Sequence, residues 1–246
     1  MIILTNLLAN WPAPSNIAAL TTTRMPGVSN TPYHGNNLAL HVGDDEFKVM
    51  QNRLALKKTL MLPNDPVWLE QTHTNICVVV EEEHNRVADA AITRSNASPL
   101  AIMTADCLPV LLCNREGTEI AAIHAGWRGL ANGIVENTLA KMNSARDTLM
   151  GWVGPAICQA CFEVGDDVRQ AFTSRYPFTQ IAFRSHGSRM LANLPQLAEL
   201  ILNAQGVDAV YHADACTYEL ENKFYSYRRE AKTGRMATLI WFRQDK

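Results

Sequence analysis

The chain has 246 residues, 47% of them hydrophobic and 19% charged, a balance that suits a soluble globular protein with a substantial core. A formal net charge of −2 gives no bulk attraction to nucleic acid or to anionic membrane, so neither is expected as a partner. No low-complexity stretch, long charge run or internal repeat marks a linker, and residues 1–246 read as one domain.

The N-terminal run Met1–Leu8 is apolar but short, and Trp11-Pro12-Ala13-Pro14 interrupts it. It is predicted as an initial strand, not a signal peptide or membrane span. That reading points to the cytoplasm, where the 6 cysteines stay reduced. Phe47–Leu60 is predicted helical, with apolar residues at Phe47, Met50, Leu54 and Leu60. Strands are predicted at Pro66–Leu69, Cys77–Val80, Leu100–Thr104, Val110–Cys113, Ile120–Ile123 and Leu149–Val153, runs rich in Val, Ile and Leu and bounded by turn residues.

Leu130–Met142 has near-helical apolar spacing, and Val168–Phe172 follows Asp166-Asp167, acids that suit a helix N-terminus. Asn193 is the expected N-cap of a helix over Leu194–Ala204, with Pro195 in its first turn and Gly206 near its end. Further strands are predicted at Ala209–Tyr211, Phe224–Tyr227 and Ala237–Phe242. Strands outnumber helices and do not alternate with them strictly. The expected class is therefore α+β, with layered mixed β-sheets flanked by helices.

Three soft-metal donors stand out because each follows a strand-like run: His73, Cys107 and His124. Two imidazoles and a thiolate fit zinc with a fourth position open, the arrangement of a catalytic site. Taken singly, each residue is more often a packed side chain. A Cys107 nucleophile with His124 as its base is the metal-free reading of the same residues. Two His and one Cys also resemble the equatorial set of blue copper, but Cys107 and His124 are not on one short loop, and no His-X-His pair exists. Copper is disfavoured. Cys158-Gln159-Ala160-Cys161 resembles half of a zinc knuckle or a redox pair, and no second Cys-X-X-Cys accompanies it.

Gln71-Thr72-His73, Thr104-Ala105-Asp106-Cys107-Leu108-Pro109-Val110 and His124-Ala125-Gly126-Trp127-Arg128-Gly129 together resemble the signature blocks of the YfiH-like, laccase-domain family. Thr22-Thr23-Arg24, Asn37-Leu38, Gly154-Pro155-Ala156-Ile157, Phe162-Glu163-Val164, Cys216-Thr217 and Phe224-Tyr225-Ser226-Tyr227-Arg228-Arg229 extend the resemblance over most of the chain. It implies mixed sheets with flanking helices, similar to cysteine deamidase toxins, and Zn2+ held by His73, Cys107 and His124. It also implies purine nucleosides and phosphate as substrates: phosphorolysis of adenosine, inosine, guanosine and methylthioadenosine, and deamination of adenosine. Some members are described instead as peptidoglycan editing factors that hydrolyse a nucleotide-linked muramyl precursor.

Deamination needs an activated water, which zinc provides by lowering its pKa to about 7. Asp106 is the expected proton shuttle, or else a hydrogen-bond partner orienting His73 or His124. Phosphorolysis needs phosphate held, and Arg24, Arg128, Arg228 and Arg229, with Asn37 toward ribose or base, are the candidates within the blocks. Of His34, His41, His84, His186 and His212 none is expected as a ligand, although His41 could line the pocket. A cysteine hydrolase and a non-catalytic binding module are the rival classes.

Overall fold

A computed structural model describes residues 6–244. Its strands in chain order are β1 (Leu7–Leu8), β2 (Ile17–Thr21), β3 (Val67–Trp68), β4 (Cys77–Val79), β5 (Ala90–Thr93), β6 (Leu100–Thr104) and β7 (Leu108–Asn114). They continue as β8 (Ile120–Ala125), β9 (Leu149–Val153), β10 (Glu163–Val164), β11 (Phe183–His186), β12 (Arg189–Ala192), β13 (Ala209–His212) and β14 (Met236–Phe242). The α-helices are α1 (Glu46–Leu60), α2 (Trp127–Ala131), α3 (Ile134–Lys141), α4 (Asp166–Arg175) and α5 (Leu194–Ala204).

Two mixed sheets pack face to face. One has the order β1-β2-β14-β6-β3, the other β13-β9-β7-β8-β5-β4, and a small third sheet runs β10-β12-β11. Strand alternation assigns the layers. Leu100 and Ile102 of β6, Ile240 and Phe242 of β14 and Ile17 of β2 face Leu111, Cys113, Ile120, Ala122 and Trp152 across the inter-sheet core. The opposite side of the larger sheet, with Val110, Leu112, Ala121 and Ile123, is covered by α3, α4 and α5 through Leu139, Phe172 and Ile201. The outer side of the first sheet, with Leu20, Ala101 and Leu239, meets Leu56 of α1. This is the layered α+β architecture the sequence suggests.

The predicted strands recur, Leu100–Thr104 and Leu149–Val153 with the same bounds and the others with shifted ends, except Phe224–Tyr227. That segment is a loop, and its apolar residues are buried for another reason: Phe224, Tyr225 and Met236 form a small core under the loop. Ser226 Oγ and the Arg228 N–H are spent on Asp106, at 2.9 and 2.7 Å, rather than on a ladder. Of the expected strand Met1–Leu8, Leu7–Leu8 forms β1, while residues 1–5 lie outside the described ones. The expected helix Leu130–Met142 is divided into α2 and α3, because Gly133 adopts φ 90°, a left-handed conformation that suits glycine.

Helix α1 forms where expected but turns a different face inward. Phe47, Met50 and Leu54 are exposed, whereas Val49, Asn52 and Leu56 are buried. Asn52 justifies its burial by bonding: its amide donates to Ser29 Oγ, Gly35 O and Asn37 O and accepts from Val28 N–H. Asp45 caps the helix by accepting from Phe47 N–H at 2.9 Å. Among the described residues no helix is long and apolar enough to cross a membrane.

Candidate metal centre and its pocket

The connection from β6 to β7 places Cys107 at the rim where the two sheets meet. Asp106 makes that tight turn with φ 92°, outside the ordinary range for a residue with a Cβ, at a cost of about 1–3 kcal/mol. Its carboxylate compensates by accepting from Thr217 Oγ1 at 2.7 Å, Ser226 Oγ at 2.9 Å and Arg228 N–H at 2.7 Å. Its carbonyl accepts from Ile157 N–H at 3.0 Å. Asp106 is thus a buried knot joining three loops, and it bonds neither histidine.

The partner that orients a histidine is Asp89, one residue before β5 and absent from the sequence reading. Its Oδ1 lies 2.7 Å from Nδ1 of His124, which sits within β8 opposite Pro109. The same carboxylate accepts from the backbone N–H groups of Thr72, His73 and Thr74 at 3.3, 3.1 and 2.6 Å, and from Thr74 Oγ1 at 2.8 Å. One side chain therefore fixes the His124 ring and the loop carrying His73, whose φ of 62° that clamp supports. Burial alone would lower the pKa of His124. The Asp89 hydrogen bond and the neighbouring Cys107 sulfur override it and push it up to about 9.

His73, Cys107 and His124 converge as the sequence suggests: their donor atoms all lie within 4.8 Å of one another. The imidazoles meet edge to face at 4.8 Å between centroids. Gly126, at the start of α2, leaves the room they use. A Cβ there would come within 2.9 Å of His73 Nδ1 and 3.3 Å of Cys107 Sγ. Donor separations in a tetrahedral zinc site with these ligands are about 3.3–3.8 Å; the three donors stand within 4.8 Å of one another, and two imidazoles with a thiolate are donor types that suit such an ion.

The three donors line a pocket of about 420 Å³, shared with Arg128, Arg228 and Arg235. Arg128 lies over the Trp127 ring at 4.5 Å. Arg228 reaches across Phe162 and donates to the Glu163 carbonyl at 3.2 Å. The remaining phosphate and nucleoside candidates are elsewhere. Arg24 lines a separate acidic cleft with Glu219, Glu221 and Glu230 and donates to the Glu221 carbonyl at 3.1 Å. Arg229 is spent on the carbonyls of Thr217, Tyr218 and Phe224. Asn37 is fully buried, bonding Ala39, Asp44 and the Arg235 N–H.

Besides Asp89, the sequence reading misses Gln71, which pins β6 by exchanging two 2.8 Å hydrogen bonds with the Met103 backbone. It also misses Arg235 and Thr104. Thr104 is 2% exposed, lines the pocket, and its Oγ1 has no hydrogen-bond partner among the described residues. His41 lines the pocket too.

Fold and site define a chain of the laccase-domain class, in which strand ends of two packed mixed sheets bring together three candidate metal donors. A family described as multi-copper polyphenol oxidoreductase laccase matches residues 18–243. Relatives include "Purine nucleoside phosphorylase YfiH" of Shigella flexneri, 44% identical over 237 residues covering 96% of this chain and 98% of that protein. "Purine nucleoside phosphorylase PA4543" of Pseudomonas aeruginosa is also 44% identical, over 96% of this chain and 97% of its own. The crystal structure of NMB0706 from Neisseria meningitidis superposes with a TM-score of 0.93 at 44% identity, covering 97% of this chain and 99% of that one. YlmD from Geobacillus stearothermophilus does so at 0.88 and 29% identity, covering 95% and 94%. The chain belongs to the YfiH-like laccase-domain family.

Proposed function

We propose that this chain is a zinc-dependent purine nucleoside phosphorylase that also deaminates adenosine. The observation that carries the reading is the convergence of His73, Cys107 and His124 on a pocket rich in arginine, in a chain 44% identical to a protein named purine nucleoside phosphorylase. The pocket, about 420 Å³, lies in the usual range for small-molecule sites. In this reading residues 1–246 act as one catalytic domain in the cytoplasm.

His73, Cys107 and His124 would hold the zinc, which supplies a Lewis acid. Zinc is preferred to copper because the three donors lack the His-X-His pairs of a multicopper centre. Asp89 keeps His124 presenting Nε2 by engaging Nδ1. Phosphorolysis requires phosphate aimed at the anomeric carbon as the bond to the purine breaks. Guanidinium forks match phosphate, and Arg128, Arg228 and Arg235 are the pocket's arginines. The unpartnered Thr104 hydroxyl suits a ribose hydroxyl, and Trp127, Phe162 and Tyr227 offer faces to the purine. Asp106 acts by holding the Cys107 turn and the Arg228 loop in register.

The closeness of Cys107 Sγ to the His124 ring nitrogen, within 4.8 Å, also favours a second reading, a metal-independent cysteine hydrolase acting on a muramyl nucleotide precursor. Turnover of adenosine with and without phosphate, on protein of measured zinc content, separates the two. Phosphate-dependent adenine supports phosphorolysis, and phosphate-independent inosine supports deamination. Absence of both, with hydrolysis of the muramyl nucleotide surviving chelation, overturns the proposal.

A further inference from the structure

We propose a second metal site, for zinc or another thiophilic divalent cation, formed by Cys158, Cys161, Cys216 and Glu219. The sequence presents only half of it, the Cys158-X-X-Cys161 turn. The fold supplies the other half as a second turn with the same spacing, Cys216-X-X-Glu219. A parallel bridge between Ala156 and Cys216 brings the turns together, with Thr217 N–H donating to the Ala156 carbonyl at 3.0 Å. The donor atoms of all four residues lie within 4.8 Å of one another. Cys161 Sγ stands 3.8 Å from Glu219 Oε1, and the Cys158 N–H points at Cys216 Sγ from 3.3 Å.

Two facing X-X turns carrying four donors make the arrangement of a structural zinc site, and tetrahedral coordination with Zn–S near 2.3 Å demands sulfur separations of about 3.8 Å. Three thiolates favour zinc over the hard cations magnesium and calcium. Four protein donors close the coordination sphere, in contrast to the three around Cys107, so the cation here has no open position for substrate. Cys158, Cys216 and Glu219 line a cleft distinct from the catalytic pocket, through which the ion can enter.

The site would brace the knot around Asp106. Thr217, next to Cys216, bonds the Asp106 carboxylate. Ile157, next to Cys158, bonds its carbonyl. The Cys161 carbonyl accepts from the Arg228 guanidinium at 3.4 Å. A cation joining the two turns therefore ties together the segments that present Phe162 and Arg228 to the pocket.

The test is metal stoichiometry on the full chain, with cobalt as the spectroscopic probe. Wild-type protein is expected to hold two equivalents, and Cys107→Ala and Cys158→Ser one each. In the Cys107→Ala chain, cobalt should still give an intense thiolate charge-transfer band, lost when Cys158→Ser is added. Should Cys158→Ser fail to fold, Glu219→Cys must retain the cation and strengthen that band by adding a thiolate. A single equivalent that Cys107→Ala removes completely, a disulfide among the three cysteines, or a cobalt band unchanged in Glu219→Cys would overturn the site. None of these readouts depends on which substrate the pocket takes.

Discussion

Asp89 and Asp106 are both buried carboxylates that gather several hydrogen-bond donors, yet among the described residues Asp89 bonds a candidate metal ligand, His124, and Asp106 bonds none. Asp106 stands beside Cys107 in sequence and directs its oxygens away, into the loops at Thr217, Ser226 and Arg228. Asp89 is distant in sequence from His124, and strand pairing between β5 and β8 brings them together. Adjacency along the chain identifies the residue that shapes the turn, whereas adjacency across the sheet identifies the residue that orients the ligand. The two should consequently fail in different ways.

Substituting Asp89 gives the largest expected separation. Asp89→Asn should weaken zinc binding by about 10–100-fold, the usual cost of losing a carboxylate behind a ligand histidine, as read by competition with a chelating dye. Asp106→Asn should leave zinc affinity within about twofold, because its contacts support loops instead of a ligand. It should lower unfolding free energy by about 1–3 kcal/mol, visible in urea denaturation. Equal losses of zinc affinity in the two variants would break the distinction.

Glu119 is a third buried carboxylate, outside both candidate metal groups, and isolates a purely stabilising role. Burial raises its pKa, but the N–H groups of Asn143 and Ser144, the Ser144 hydroxyl and Arg94 outweigh that and hold it below the usual 4.5. Its folded pKa is therefore lower than its unfolded one. The stability it contributes is present above about pH 4.5 and is lost as pH falls through the depressed folded value. Glu119→Gln should cost about 1–3 kcal/mol at neutral pH, flatten the acid limb of a stability profile, and leave metal content unchanged. A smaller effect separates arginines inside and outside the pocket. Arg128→Ala should raise KM for phosphate by about tenfold or more, while Arg24→Ala should change it by less than about twofold, as measured in steady-state assays.

The donors His73, Cys107 and His124 were legible because their chemistry is written in residue type, and strand-like runs ahead of them hinted at a common rim. Asp89 was not, since the Ala88–Thr93 segment is short and alanine-rich and carries no clear strand signal, so nothing in the sequence aligns it with His124. Arg24 and Arg229 are equivalent to Arg128 in sequence, but the fold places both outside the lining of the pocket, on the carbonyls of other loops. Helix α1 was correctly located but its buried face was not, because Asn52 rather than Phe47 or Met50 satisfies the loops beneath it. Period and composition find elements. Which polar group a buried loop requires depends on contacts far apart in the chain.

A zinc centre at Cys107 that turns over purine nucleosides with phosphate must release adenine from adenosine only when phosphate is present. Adenine release from adenosine, measured on zinc-quantified wild-type and Cys107→Ala protein with phosphate present and absent, tests it most directly. Phosphate-dependent adenine is expected from the wild type, with loss of both that activity and one zinc equivalent in Cys107→Ala. Adenine release that persists in Cys107→Ala, or that ignores phosphate, would contradict it.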